Sequence, residues 1–563
     1  MRQSISHYKL FFVTFLFILF QNFSDSAEIK NRKMITSEKQ YSLLKKNPKS
    51  EERLQWWRDA RFGIFVHWGV YSMLGGEYKG ADYGKEMGGP AAEWIFKTAK
   101  IPENEYRKFA STWNPQNYNP EQWCKLAASS GAKYIVLTAK HHDGLALFDS
   151  EIDNWNILQS TAYKKDIVRQ FADAARKYNL KVGLYYSHRL DWFRLGTNRN
   201  AELTDKYKKV LENHLKTIFI KYKPDLIWFD MGKSGLIADL AFKITKKFAP
   251  NCIICGRIGG DYGDYKCMKD RHLPPPNNTM NAETPMTMRL NWGFDKDDEN
   301  WKLPNDIIKM LSICATRNTN LLLNIGPDGN GKITENEINI LNSVGAWMKV
   351  NSEAIYNTRG TPFNGEFPWG SLTVNNNNCA FFIHIHQKPV DGIIVIPGIS
   401  SPVSNVNLLA KKHNLHCSFS LKKNTLTVKL PDTPLDTVRI IKVSGNKPFL
   451  FENSSGPDVG QKMNNIPDTR IISARTGVIQ KFSNKNNGTL TIIRKSGIKF
   501  KVINVKKALI VYKNGNKGNV SDLTAGKSVK VTVEFPKRKK TATFQTKILI
   551  KKALPFLKNG NAL

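Results

Sequence analysis

Reactive side chains in this chain cluster where short apolar runs end. His67-Trp68-Gly69 close the run Phe62–Trp68, and His141-His142-Asp143-Gly144 follow Tyr134–Ala139. Tyr185-Tyr186-Ser187-His188 close Val182–Ser187, with Asp191-Trp192 just beyond; Trp228-Phe229-Asp230 close Leu226–Asp230; Gly256-Arg257 close Cys252–Gly256. Glu283 sits beside the run Thr284–Met288. Imidazoles, carboxylates and indoles at one rim describe a sugar pocket, because sugar faces pack on aromatics while hydroxyls need paired donors and acceptors. Two carboxyl groups there can serve as nucleophile and general acid/base. Taken singly, an Asp at a strand end is as readily a cap, and tandem His a satisfied core pair; the case rests on their joint appearance. A zinc site is not expected, since one His followed by Trp closes the first run and the adjacent His141 and His142 point apart on a strand. Neither a metal nor another cofactor is expected.

Such a rim needs strands that end on one side of the molecule. Seven apolar runs, the last being Leu321–Ile325, are separated in several places by helical patterns such as Ile167–Tyr178, Tyr207–Tyr222 and Ile307–Thr316. Strands alternating with helices imply a parallel sheet, and this many units fit a (β/α)₈ barrel, whose reactive groups gather at the C-terminal strand ends. The eighth strand is expected at Ala354–Asn357. Beyond residue 360 the texture turns to β-rich runs broken by Asn, Gly and Pro. The predicted fold is an α/β TIM-like barrel over 28–358, a C-terminal β-sandwich over 359–446, a linker over 447–469 and a small basic β-barrel-like domain over 470–563. Lys513-Asn514-Gly515-Asn516 is a hairpin signal in the last of these.

Residues 1–27 read as a secretory signal peptide. Arg2, His7 and Lys9 precede an apolar run from Leu10 to Phe20, and Ser24-Asp25-Ser26-Ala27 follow. That run is short for a membrane span, so an exported protein, periplasmic or extracellular and with no transmembrane span after cleavage, is expected. The seven cysteines are an odd, scattered set without disulfide spacing. The net charge is +36, and residues 451–563 hold 23 Lys/Arg against 5 Asp/Glu, so 23 − 5 = +18 of it lies there. A solvated lysine bias accounts for that segment; a tether to acidic or sulfated polysaccharide is the alternative. Export argues against nucleic acid as a partner.

The motifs together resemble the glycoside hydrolase family 29 α-L-fucosidases. The resemblance is carried by Trp56-Trp57-Arg58-Asp59-Ala60-Arg61-Phe62-Gly63-Ile64-Phe65-Val66-His67-Trp68-Gly69, by Ala139-Lys140-His141-His142-Asp143-Gly144, by Gly183-Leu184-Tyr185-Tyr186-Ser187, by Ile227-Trp228-Phe229-Asp230 and by Leu321-Leu322-Leu323-Asn324-Ile325-Gly326-Pro327. It spans roughly residues 50–445. It implies an exo-acting retaining glycosidase that removes terminal α-L-fucose from glycans, with Asp230 as nucleophile. His67, His141 and His142 would grip sugar hydroxyls, and Trp94, Tyr185, Trp228 and Arg257 would line the pocket. The stretch Ala282-Glu283-Thr284-Pro285-Met286-Thr287 aligns with the acid/base motif of bacterial members, which makes Glu283 the candidate, with Asp264 and Asp270 as rivals on the preceding loop. Departures include Ala282 for Trp, Pro285 for Cys and Met231 where Gly is common after the nucleophile. These departures leave a catalytically impaired fucose-binding protein as the alternative.

Overall fold

In a computed structural model the described residues are 48–452, apart from 85–90, 201, 234, 277, 412 and 432–436, together with strand segments between 469 and 550. The expected signal segment and most of the 447–469 linker lie outside them. Among the described residues no helix is long and apolar enough to cross a membrane.

Eight parallel strands form one sheet: β1 (Phe62–Val66), β2 (Tyr134–Lys140), β3 (Lys181–Tyr186), β4 (Leu226–Phe229), β5 (Ile253–Ile254), β6 (Lys266–Cys267), β7 (Ala282–Thr287) and β8 (Thr319–Ile325). Their order is β5-β4-β3-β2-β1-β8-β7-β6. A single parallel bridge, Cys255 to Tyr265, joins the two outer strands at their inner ends and brings the sheet round on itself as a TIM-like barrel. Nearly every strand residue is buried, as expected for strands covered on both faces.

Helices α1 (Pro120–Ser129), α2 (Ile167–Lys177), α3 (Asp205–Thr217), α4 (Leu236–Phe248), α5 (Pro304–Thr316) and α6 (Glu335–Asn351) supply the outer layer. Their starts are written in the sequence. Asn119, Asp166, Thr204 and Thr334 each accept an amide N–H of the first turn, a cap contributing about 1 kcal/mol. On α2 the apolar stripe Ile167, Val168, Phe171, Ala172 and Ala175 is buried, as its spacing predicts.

The sequence reading is corrected at one strand. The eighth is Lys266–Cys267, between the fifth and sixth expected, and no barrel helix separates it from β5, only the turn Gly256–Ile258. Two residues make too short a run to stand out by hydropathy. Residues 352–354 instead form a 3₁₀ turn, and Thr358–Arg359 pairs with Gly370–Asn375 in the next unit.

That unit has two antiparallel sheets, of six and three strands, between Thr358–Arg359 and Arg439–Ser444. They share a core that includes Trp369, Phe381, Ile383, Ile394 and Ile441. Farther along, strands from Thr469–Ser483 to Gln545–Ile550 pair in one seven-stranded sheet.

Candidate active site

At the C-terminal ends of the barrel strands lies an open pocket. Its walls are Phe65, His67, Glu93, Trp94, His141, His142, Tyr185, Trp228, Asp230, Met231, Arg257, Asp270 and Trp292. The side chains singled out at strand ends, His67, His141, His142, Tyr185, Trp228, Asp230 and Arg257, therefore meet in one cavity, with Trp94 joining from the segment between β1 and β2. Each is carried there by the residue count of its strand: His67 is the first residue past β1, His141 the first past β2, and Asp230 the first past β4.

Asp230 is the most heavily bonded group in the pocket. Its Oδ2 accepts the Tyr185 hydroxyl at 2.8 Å; its Oδ1 accepts Arg257 Nε at 2.8 Å and the Met231 amide at 2.8 Å. The second arm of the same guanidinium lies 2.7 Å away. Burial would raise the pKa of this carboxyl, but Arg257 and the hydrogen bonds from Tyr185 and Met231 outweigh it and hold the group at about 2. It is therefore an ionised carboxylate at any working pH. Met231 holds φ 58°, a left-handed conformation that costs a side chain with Cβ about 1–2 kcal/mol, and this is the physical sense of the glycine common at that place. Next to it Gly232 cannot carry a side chain, since a Cβ would lie 1.9 Å from the Ile258 carbonyl oxygen.

The imidazoles are held neutral and oriented. Burial lowers His67 to about 4 and His142 to about 3. Asn324 donates to the Trp292 carbonyl at 2.7 Å, so its oxygen faces His67 Nδ1 at 2.6 Å and requires a proton there. Ser187 donates to the Leu190 carbonyl at 2.8 Å, so its oxygen accepts from His142 Nδ1 at 2.6 Å. In both rings Nε2 is left as the acceptor. His142 Nε2 stands 3.6 Å from Asp230 Oδ2. His141 stacks on Tyr185 and has a buried Nδ1 without a hydrogen-bond partner among the described residues.

Glu283 does not join this group. It is the second residue of β7, low in the barrel, and fully buried. Its Oε1 accepts Trp228 Nε1 at 2.8 Å and the Tyr265 hydroxyl at 2.9 Å, and its Oε2 accepts the Tyr134 hydroxyl at 2.7 Å. The carboxyl thus anchors Trp228 from behind the pocket wall. The motif gives its position in sequence but not its height along the strand. Asp264 is also elsewhere, in an ion pair with Arg53 and accepting the Ile254 amide at 2.8 Å. Asp270 does line the pocket, at its mouth, paired with Arg257. One guanidinium thus bridges Asp230 and Asp270.

Strand ends alone miss Glu93 and Trp292, which reach the pocket from loops. Glu93 Oε2 accepts the Gly293 amide at 3.0 Å, tying the two loops together. Burial, opposed by that bond, raises its pKa to about 7. Its one sequence signal is adjacency to Trp94.

The chain is similar to known proteins over this whole region. A family model described as Alpha-L-fucosidase matches residues 29–353. The tissue alpha-L-fucosidase of Bos taurus is 29% identical over 409 residues, covering 67% of this chain and 85% of that protein. Alpha-L-fucosidase isoenzyme 1 from Paenibacillus thiaminolyticus superposes with a TM-score of 0.61 at 29% identity, over 70% of this chain and 99% of that one. A trapped covalent intermediate of an alpha-L-fucosidase from Bacteroides thetaiotaomicron, in complex with 2-fluoro-fucosyl fluoride, superposes at 0.63 with 25% identity, over 70% and 96%. With the family model spanning more than half of its length, and with the pocket built as described, the chain belongs to the alpha-L-fucosidase family of glycoside hydrolases.

Proposed function

We propose that this protein removes terminal α-L-fucose from glycans with retention of configuration, using Asp230 as nucleophile and Asp270, rather than Glu283, as acid/base. The observation that carries the reading is Arg257 bridging Asp230 and Asp270. Retaining glycosidases bring two carboxyl groups to one sugar, and this guanidinium brings these two to one pocket. In the first step Asp230 attacks the anomeric carbon, and the bond to the glycosidic oxygen breaks as Asp270 gives that oxygen a proton. In the second, Asp270 takes a proton from water, whose oxygen displaces Asp230 and restores the free carboxylate. Asp270 must release Arg257 and carry a proton before the first step, so the arriving glycan opens that ion pair. The Nε2 acceptors of His67 and His142, with His141 beside them, take sugar hydroxyls, while Trp228 and Trp292 pack the apolar faces.

The pKa of Glu93, about 7, favours a second reading in which Glu93 is the proton donor. Its place on the inner wall, bonded to Gly293, favours a hydroxyl contact instead, because the leaving oxygen points to the mouth. Reaction with 2-fluoro-fucosyl fluoride followed by peptide mapping tests the nucleophile: a label on Asp230 is expected, and a label on another residue overturns the assignment. The fate of Asp270→Asn against Glu93→Gln, on a substrate with a poor leaving group, decides the donor; the deeper loss marks the acid.

The remaining expectations belong to the same reading. Export is supported by the apolar run Leu10–Phe20 behind Arg2 and Lys9, and N-terminal sequencing of exported protein should begin after Ala27. The shared apolar core of the two antiparallel sheets supports a β-sandwich over 359–446. The +18 of residues 451–563 supports a polyanion-binding β module over 470–563. Deleting that segment should abolish retention on an anionic polysaccharide column; unchanged retention would rule the tether out.

A further inference from the structure

One wall of the pocket mouth is crowded with cations. Trp94, which lines the pocket, carries the Arg199 guanidinium over its ring at 4.6 Å and the Lys97 ammonium at 5.5 Å. Each contact is favourable alone, but two like charges on one indole repel. Lys97 registers this: burial first, then the Arg199 charge, lowers its pKa. Among the described residues neither cation has a carboxylate partner. A third cation is bonded to the residue after Arg199. Lys233, two positions beyond the pocket residue Met231, donates to Asn200 Oδ1 at 3.2 Å and so ties the Met231 segment to the residue next to Arg199. Arg199 and Lys233 are exposed. The acid at this mouth, Asp270, is already taken by Arg257.

We infer that Lys97, Arg199 and Lys233 form a subsite for an anionic group, a sulfate ester or a carboxylate, on the sugar from which fucose is cleaved. The inference rests on the fucosidase reading. A fucose seated beneath Trp94 directs its glycosidic oxygen to the mouth, so the next sugar lies against this wall. A guanidinium offers a planar fork for two oxygens of a sulfate or carboxylate, and the two ammonium groups add unoriented charge. An anion there also relieves the repulsion over Trp94, which no neutral sugar can do. The substrate class expected to be preferred is therefore fucose on an acidic glycan.

The test compares fucosyl-N-acetylglucosamine with the same disaccharide bearing a sulfate ester on the N-acetylglucosamine, and fucosyl-galactose with fucosyl-galacturonate. At low ionic strength kcat/KM for the anionic member should exceed that for its neutral partner by roughly three- to tenfold, the range of one or two exposed ion pairs. The ratio should fall toward one at about 1 M salt, where screening is nearly complete. In the double variant Lys97→Ala, Arg199→Ala it should fall toward one at low salt. General damage to the fold would lower both rates and leave the ratio. Preference for only one of the two anions supports the subsite and identifies its ligand. A ratio at or below one for both pairs, or a ratio unchanged in the double variant, overturns it. Turnover of the neutral disaccharides reports the fucosidase reading separately. Binding of the intact disaccharides to Asp230→Asn by calorimetry gives the same comparison without turnover, and equal affinities within each pair overturn the subsite in that arm as well.

Discussion

Replacing Glu283 by Gln separates a buried anchor from a proton donor. Three donors converge on this carboxyl: Trp228 Nε1 and the Tyr265 hydroxyl on Oε1, and the Tyr134 hydroxyl on Oε2. Gln keeps a carbonyl oxygen for the first two and presents an NH₂ to Tyr134. That hydroxyl can turn to accept from the new NH₂. The exchange keeps the bond count, so the net cost should be about 1 kcal/mol or less. Glu283→Ala differs: it strands three buried donors and leaves a hole, for a loss of roughly 3–5 kcal/mol, and it frees Trp228 on the pocket wall. The assays are urea unfolding, and kcat and KM on both a nitrophenyl α-L-fucoside and a fucosyl disaccharide. Gln should unfold near wild type and keep kcat within about tenfold on both substrates, whereas loss of a general acid costs ~10²–10⁴ on a poor leaving group. A Gln variant with wild-type stability, a kcat collapse on the disaccharide and near-normal rates on the activated aryl fucoside would refute the anchor role.

Other consequences are equally open to measurement. The folded-state pKa of Glu93 is raised to about 7 by burial, so its stability contribution is full below the ordinary 4.5 and is lost as pH rises through about 7. Glu93→Gln should therefore gain stability relative to wild type between pH 5 and pH 8, by a quantity of the order of 3 kcal/mol; a constant difference in paired melts across that range contradicts the burial argument. Arg257→Met removes the charge that holds Asp230 at about 2. The acidic limb of its kcat/KM profile should move to higher pH, and an unmoved limb would mean that another group sets it. Met231→Gly should relieve the left-handed strain at φ 58° and raise stability by roughly 1 kcal/mol in urea unfolding; a destabilised variant would show that the Met side chain outweighs the strain.

Much of the pocket was legible because a barrel strand brings its first following residue to one rim. His67, His141 and Asp230 needed only a count from the apolar run that precedes them. The same rule misleads for Glu283, whose motif lies at the start of Ala282–Thr287 rather than at its end, so the carboxyl points into the barrel floor. The strand Lys266–Cys267 has two residues and no apolar run, and its pairing with Ala282 and Glu283 is tertiary information. Glu93, Trp292 and Asp270 reach the pocket on loops. Their approach depends on cross-chain bonds, Gly293 to Glu93 and Arg257 to Asp270, that no local spacing encodes. The helix caps and the buried face of Ile167–Lys177 follow short-range rules and were readable.

Azide rescue of Asp230→Ala and Asp270→Ala on an activated aryl fucoside, with the anomer of the product read by NMR, tests the paired-carboxylate assignment most directly. With the nucleophile gone, azide must attack from the face Asp230 occupied, giving the inverted β-fucosyl azide. With the acid/base gone, azide must attack the fucosyl-enzyme, giving the retained α-fucosyl azide. Those two opposite anomers are the predicted result. An Asp270→Ala enzyme that hydrolyses poor leaving groups at the wild-type rate and yields no azide product would contradict it.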